Sequence, residues 1–225
     1  MVEEIRIPFT QIRIGRFLFL LICILLLLVL PPLLRNVVRY KVLMDLLFSA
    51  LLISGIYSVS EKKVTFIVSL FLGIPAILAH WTTYFSEIHS FPIAAEVLST
   101  VFFAYISANI LASIFKEKEV TADLIIGAIC AYFLVGLFWS SIYSFMDTVQ
   151  PGSFLIPEGM GDQGSLFNYY SFVTLTTLGY GDVTPLSEAA RSLSVLEAAM
   201  GQLYIAVLIA RLVGIHIAQT SKGSE

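Results

Sequence analysis

The hydrophobic positions of this chain form long runs that are separated by short polar stretches. A helix needs about 20 apolar residues to cross the hydrocarbon core of a bilayer, and fewer in short spans. Six runs approach or exceed that length, at residues 17–30, 42–59, 64–81, 91–115, 122–145 and 189–217. The pattern therefore predicts six membrane-spanning helices, the first of which should close at Pro31-Pro32.

The first run also has the basic, apolar start of a signal peptide. It lacks a small-residue cleavage site and ends in two prolines and Arg35. These features favour a retained helix over a cleaved leader.

The composition agrees with a protein that crosses the membrane several times. Of its 225 residues 58% are apolar and 13% are charged, about half the usual charged share, and the mean hydropathy is +0.89. The net charge is −3 with no basic cluster, which excludes an electrostatic basis for nucleic-acid binding. Cys23 and Cys130 lie inside apolar runs, where thiols behave as small hydrophobic groups, so neither a disulfide nor a metal site is expected.

One segment between the fifth and sixth runs is too short to span. Residues 165–176, with Ser165 as a candidate N-cap, are expected to form a re-entrant helix that is buried in protein or lines water. The helix leads into Thr177-Leu178-Gly179-Tyr180-Gly181-Asp182. Its two glycines would let successive carbonyl oxygens turn toward one axis, and four such segments could replace the water around a cation.

These six residues resemble the selectivity filter of potassium channels, Thr-Val-Gly-Tyr-Gly followed by Asp, with Leu178 in place of Val. The resemblance implies an all-α membrane protein, with six transmembrane helices and a re-entrant pore helix per subunit, assembled as a homotetramer. It divides the chain into a four-helix transmembrane domain, residues 1–119, and a pore domain, residues 120–225. The pore domain would contain the outer helix, pore helix 165–176, filter 177–181 and inner helix 189–217.

The resemblance also implies a role for each residue of the filter and its supports. The backbone carbonyls of Thr177, Leu178, Gly179 and Tyr180 would bind K⁺, Gly181 would let the chain turn outward, and Asp182 would lie at the outer mouth. The Leu178 side chain is expected to pack behind the filter. The hydroxyl groups of four residues would support the filter, and those of the two tyrosines would reach Asp182 or the filter backbone. The four residues are Tyr169, Tyr170, Thr174 and Thr176.

The last helix carries the candidate cavity and gating residues. Gly201 lies twenty positions after Gly181, the offset of a gating hinge in potassium channels, although close packing explains a helix glycine equally well. By the same alignment Gln202, Ile205, Ile209 and Val213 would face the cavity. Glu197 is an acid inside a spanning helix and should bind Ser171 or Thr174, either as a structural brace or in gating.

The sequence of the first four helices does not indicate which stimulus would open a channel. The fourth run contains no Lys or Arg, and Glu96 is its only charge, so a conventional voltage sensor is missing. Gating would then depend on the pore, the lipid bilayer or an unknown regulatory partner.

The orientation follows from the distribution of basic residues. With both termini cytoplasmic, nine Lys and Arg residues lie inside and four outside, namely Arg35, Arg39, Lys41 and Arg191. The chain is therefore predicted to be a multi-pass protein of the cell membrane.

Taken together, the sequence predicts a potassium-selective channel that conducts passively, has no cofactor and is not an enzyme. A weakly selective cation channel and a non-conducting regulatory subunit are the alternatives.

Overall fold

Helices make up most of the protein in a computed structural model that describes residues 15–34, 40–82, 90–157 and 163–222. Each predicted apolar run forms one helix. In chain order the elements are α1 (Arg16–Leu34), α2 (Tyr40–Ser58), α3 (Lys63–Thr82), α4 (Ser90–Lys116), α5 (Ala122–Val149), β1 (Phe154–Leu155), α6 (Gln163–Leu175), β2 (Thr184–Pro185) and α7 (Glu188–Lys222).

Several of these helices have the length and composition of a membrane span. Within the described ranges four meet both criteria: Lys63–Thr82, Ile93–Lys116, Ala122–Val149 and Glu188–Gln219. Arg16–Pro31 and Val42–Ser58 are apolar but shorter. The chain is thus a helical membrane protein, while the number of six crossings stays a prediction.

Several helix boundaries differ from the sequence expectation, and α5, for example, continues past residue 145 to Val149. Pro31 and Pro32 do not end α1, which continues to Leu34, because the fixed φ of proline is itself helical. Ser165 is not an N-cap, since α6 already begins at Gln163. The inner helix extends past residue 217 to Lys222.

Two buried clusters organise the packing, and α5 contributes to both. The first contains residues of all five helices from α1 through α5, with large side chains such as Leu20, Leu52, Phe102 and Ile106 at its centre. The second lies between α5, β1, α6 and the start of α7 and is rich in aromatic rings. Tyr143, Phe154, Phe167 and Tyr170 meet edge to face, and Trp139 stacks on Tyr143.

Small residues let α5 approach its neighbours on opposite sides. A Cβ on Gly127 would collide with the ring of Phe17 in α1, and one on Gly136 would collide with Phe172 in α6. The Cys130 thiol lies 3.4 Å from the carbonyl oxygen of Phe17. Both Cys23 and Cys130 are buried.

Polar contacts bring several helix ends together at one face of the bundle. Arg16 at the start of α1 forms an ion pair with Glu61 in the α2–α3 turn and lies 3.9 Å from Asp123 at the start of α5. Arg211 of α7 donates from Nη2 to the carbonyl oxygens of Phe115 and Glu117, both at 2.8 Å. The far part of α7 is therefore attached to the end of α4.

Candidate functional site

The end of α6 turns sharply into the segment that carries the candidate residues. The N–H groups of Leu178 and Gly179 both donate to the Val173 carbonyl, at 2.9 Å and 3.3 Å, and Thr177 N–H donates to Thr174 at 2.9 Å. These bonds use the last free carbonyls of the helix, which otherwise lack a partner. The negative end of the α6 dipole consequently lies beside the segment.

The backbone of this segment alternates in handedness. Thr177, Gly179 and Gly181 have φ of +59°, +56° and +76°, whereas Leu178 and Tyr180 are not among the residues of positive φ. Such alternation turns successive peptide groups to the same side, unlike a regular strand, in which they alternate. Glycine adopts positive φ freely, but a β-branched residue does so only under strain, so Thr177 is an outlier.

The carbonyl oxygens of this segment are left without partners. In the part of the chain that the structure describes, no hydrogen bond is donated to a carbonyl of residues 176–181. All six residues are exposed. We call residues 176–181 the carbonyl loop, because its free acceptors are its main chemical property.

The Leu178 side chain does not pack behind the carbonyl loop within this subunit. It is 54% exposed, and Tyr180 is 66% exposed. The packing of Leu178 behind the filter, which is expected for an assembly of several chains, stays a prediction.

The outer end of the loop is held by one tyrosine. The Tyr169 hydroxyl donates to Oδ2 of Asp182 at 2.5 Å, and the Val183 N–H donates to Oδ1 at 2.9 Å. The hydrogen bond from Tyr169 is the main reason that the pKa of Asp182 lies below its ordinary value. Tyr170 is not a partner of this group, because its hydroxyl contacts Ser194 of α7 at 2.6 Å.

A short β ladder fixes the chain on either side of the loop. Leu155 pairs with Thr184 and Phe154 with Pro185 in antiparallel register, and the Leu186 N–H donates to the Ser153 carbonyl at 2.8 Å. The ladder joins the segment before α6 to the segment after Asp182. It was not predicted, since two residues are too few for a strand pattern.

Glu197 lies at the centre of a buried hydrogen-bond network behind the loop. Its carboxyl group contacts the Ser171 hydroxyl of α6 at 2.5 Å and the Tyr143 hydroxyl of α5 at 2.7 Å. Glu197 and Ser171 are both fully buried. Of the two partners expected from the sequence, Ser171 makes the contact and Thr174 does not among the bonds described.

The number of protons in this network indicates which form of Glu197 it accommodates. The Ser171 hydroxyl lies 2.7 Å from the Gly136 carbonyl as well as 2.5 Å from Glu197, yet it has one proton to donate. A protonated Glu197 can donate to Ser171, which then donates to Gly136, so every group is satisfied. An isolated carboxylate at this depth would be costly, and within the described chain no Lys or Arg pairs with it.

Gly201 is a point of close contact between α7 and the end of α6. A Cβ at this position would collide with the carbonyl oxygen and carbon of Leu175, directly before the carbonyl loop. Close packing therefore explains a glycine at position 201 without any bending of α7.

The remaining predicted residues lie beside or below the loop. The Thr176 hydroxyl donates to the Phe172 carbonyl at 2.6 Å, and Gln202 makes a long 3.4 Å contact with the Thr177 hydroxyl. Gln202 is exposed, as are Ile205 at 41%, Ile209 at 56% and Val213 at 51%. They lie on an α7 surface that this subunit leaves uncovered.

Sequence reasoning missed two members of this network: Tyr143, which contacts Glu197, and the Gly136 carbonyl, which contacts Ser171. Both are on α5, far away in sequence, and Tyr143 lies near the end of an apolar run, where tyrosine is usual at the membrane interface. Tyr143 differs from an interfacial tyrosine in being completely buried, and burial cannot be read from the sequence.

The fold and the site define a helical membrane protein in which the short helix α6 and the carbonyl loop lie between the long helices α5 and α7. Residues 123–216 match the model of a family described as ion channel, which spans α5, α6 and most of α7. This match supports an ion-channel domain in the second half of the chain. No curated protein and no solved structure matches the chain.

We expect Gly201→Ala to destabilise the protein by about 1–3 kcal/mol, the usual cost of overpacking, because the methyl group meets a backbone oxygen. Gly214→Ala is the matched control, since a Cβ there has no neighbour within 4 Å. Thermal unfolding in detergent measures both. Equal melting temperatures for the two variants would contradict the packing role.

Glu197→Gln is expected to retain stability, because an amide can donate to Ser171 and accept from Tyr143 as the protonated acid does. Glu197→Ala leaves two buried hydroxyls unpaired and should cost about 1–3 kcal/mol. Unfolding of both variants in the same detergent tests this order. A glutamine variant as unstable as the alanine variant would indicate an ionised Glu197.

Tyr169→Phe should shift the acid sensitivity of the loop. Because the folded-state pKa of Asp182 is lowered, its contribution to stability is present above the unfolded pKa and is lost as pH falls through the folded pKa. Without the Tyr169 bond the folded-state pKa of Asp182 rises toward the unfolded-state value, so the variant loses less stability on acidification than the wild type. Melting temperatures between about pH 6 and about pH 3 measure it.

Tyr170→Phe is the control for this experiment, because it removes a neighbouring hydroxyl that bonds Ser194 instead. Its pH profile should keep the wild-type shape. Coincident profiles for wild type and Tyr169→Phe would overturn the link to Asp182.

Proposed function

We propose that this protein is a potassium-selective channel in which four copies of the chain surround one conduction path. The carbonyl loop carries the proposal: its carbonyls have no partner in the described chain and its peptide groups turn to one side. In a bilayer an unpaired backbone acceptor costs several kcal/mol unless it faces water or an ion. Dehydrated cations supply what these oxygens lack.

The tetramer is supported by what one subunit leaves open. The loop oxygens of one chain can occupy only one side of an ion, so several chains are needed for a complete ring. On α7 the exposed residues Ile205, Ile209 and Val213 share the helix face of Gln202, which contacts the Thr177 hydroxyl of the loop. In the proposed assembly these residues line the water-filled space beneath the rings.

The surroundings of the loop favour a cation over an anion. The negative end of the α6 dipole lies beside the loop, and four such helices would add their effects at the axis. At the outer end Asp182 is ionised at neutral pH, as an ordinary aspartate is, and the hydrogen bond from Tyr169 lowers its pKa further. Cations are therefore concentrated at the entrance and stabilised inside.

The mechanism we propose needs no chemical step. A potassium ion exchanges its water for the carbonyls of Tyr180, Gly179, Leu178 and Thr177, with the Thr177 hydroxyl below them. Repulsion between ions at neighbouring rings moves the row forward. Tyr169 and the Glu197 network hold the rings at a fixed width from outside and behind.

Leu178 is the residue on which the degree of selectivity depends. It replaces the valine of the usual potassium filter, and its side chain is more than half exposed in the subunit. In the proposed tetramer its packing must come from a neighbouring chain. A looser fit there would let the rings widen and accept Na⁺, which is the weakly selective alternative.

Current recorded from the purified protein in planar bilayers tests the proposal. We expect the reversal potential to move by about 59 mV for each tenfold change in the K⁺ gradient and to ignore a Na⁺ gradient. A reversal potential that follows both ions indicates a weakly selective channel. An assembly of four chains that carries no current would leave the non-conducting subunit as the correct alternative.

A further inference from the structure

A cavity of about 140 Å³ lies between the first four helices and α6. It is found where α3 ends and α4 and α6 begin, beside the later part of α5. Glu96, His80 and four serines supply most of its polar lining, and the rest is mainly aromatic and aliphatic. The cavity is separate from the carbonyl loop, none of whose residues line it.

Three of the serines in this cavity differ from other serines in the helices. A helix serine commonly donates to a carbonyl one turn earlier in the same helix. Six serines of α2, α3 and α4 do so: Ser49, Ser54, Ser58, Ser69, Ser107 and Ser113. The hydroxyls of Ser99, Ser140 and Ser141 have no hydrogen-bond partner among the described residues, although these serines are only 4%, 5% and 8% exposed. Buried hydroxyls without partners are costly, so a polar occupant is expected.

The acids at this cavity outnumber the groups that can balance them. Glu96 accepts from the Ser144 hydroxyl at 2.8 Å, and Nε2 of His80 lies 2.6 Å from Oδ1 of the buried Asp45. One imidazolium balances only one of these two carboxylates. In the part of the chain that the structure describes, no Lys or Arg lines the cavity. An occupant with a single positive charge would balance the second carboxylate.

The walls of the cavity favour an organic cation. Phe48 and Phe103, whose rings meet edge to face at 6.1 Å, line it together with Leu27 and Leu137. A cavity of about 150 Å³ accepts benzene, so an amine with a short alkyl chain has room here. Within the described ranges, no three His, Cys, Asp or Glu side chains are placed to hold a metal ion.

We propose that this cavity binds a small alkylammonium ion, that is, a protonated primary amine with a short apolar chain. Ser99 lies one turn after Glu96 on α4, and Ser140 lies one turn before Ser144 on α5, so both serines flank the contact between Glu96 and Ser144. The three N–H groups of the ammonium donate to the Glu96 carboxylate and to these two hydroxyl oxygens. Water alone satisfies the hydroxyls but leaves the charge unbalanced, whereas an alkylammonium ion matches the hydroxyls, the charge and the apolar wall.

The cavity also reaches α6, at Asn168. This residue directly precedes Tyr169, whose hydroxyl holds Asp182 at the outer end of the carbonyl loop. An occupant therefore contacts both the first four helices and the helix that supports the loop. An effect on ion flow rests on the proposed function, but binding of the amine does not.

The first experiment measures binding without any ion flux. The full chain is purified in a neutral detergent at about pH 7, where a primary amine is protonated. It is titrated with butylammonium chloride, butan-1-ol or sodium chloride, and its melting temperature is followed. A constant background of potassium chloride keeps the ions at the carbonyl loop unchanged. We expect a saturable rise with butylammonium only, because a ligand that binds the folded state stabilises it by mass action.

A matched pair of acid variants tests the location. Glu96→Gln removes the charge but keeps an oxygen that can accept from Ser144, and it should weaken butylammonium binding at least about tenfold. Glu119→Gln removes the same charge from an exposed position outside the cavity and should change the binding less than about twofold.

Matched serine pairs test the same location without any change of charge. Ser99→Ala with Ser140→Ala should weaken binding at least about fivefold, since two hydrogen bonds are lost. Ser107→Ala with Ser113→Ala removes two hydroxyls that bond their own helix and should stay within about twofold of wild type. The melting temperature of each variant without ligand reports on its folding.

Several results would overturn the site. Equal responses to butylammonium and butan-1-ol would indicate a cavity that does not recognise charge, and an equal response to sodium chloride would indicate a general cation effect. Full binding by Glu96→Gln, or equal losses in the two serine pairs, would place the amine elsewhere, and so would overturn the proposal as surely as no response in the wild type. Absence of K⁺ current with amine binding intact would instead contradict the proposed function alone.

Discussion

A backbone carbonyl needs a hydrogen-bond partner, water or an ion, and in the described part of the chain the carbonyl loop has several carbonyls that accept no hydrogen bond. The rest of the described structure can be understood as the means by which such a segment is kept in place. Helix α6 ends directly before it, and the carbonyl of Val173 accepts two N–H groups that begin the turn. Thr177 then takes a backbone conformation that strains a β-branched residue. Such a conformation persists only where its surroundings hold it firmly.

Those surroundings act from three directions. Outside, Tyr169 and the β ladder hold the chain where it leaves the loop. Behind it, Glu197 joins α5, α6 and α7 through two hydroxyl groups. Below it, Gly201 lets α7 approach the last carbonyl of α6. Buried polar networks of this kind give rigidity only when every member is satisfied, which explains the importance of a protonated Glu197.

The sequence predicted the helices and the residue types of the site better than it predicted which residues contact one another. Long apolar runs have one stable outcome in a bilayer, so each became a helix within a few residues of its expected bounds, and the Gly-rich segment stood out against them. An acid at Glu197 had to find a polar partner, and Ser171 was within reach. Tyr143 was not predictable, because which face of α5 meets Glu197 depends on packing among distant residues. The β ladder and the first turn of α6 carry too few residues for any pattern.

Helix α5 packs against other helices on two sides, and this affects whether the two halves of the chain can be separated. One side of the helix meets α1 and α4 with Gly127, Cys130 and Ser144, the last of which donates to Glu96 at 2.8 Å. The other side meets α6 with Gly136 and Tyr143. A helix made to face lipid would present bulky apolar side chains there, not small and hydroxyl-bearing ones. We therefore expect that the second half of the chain, expressed without the first four helices, would expose to lipid a surface of α5 that is suited to helix packing.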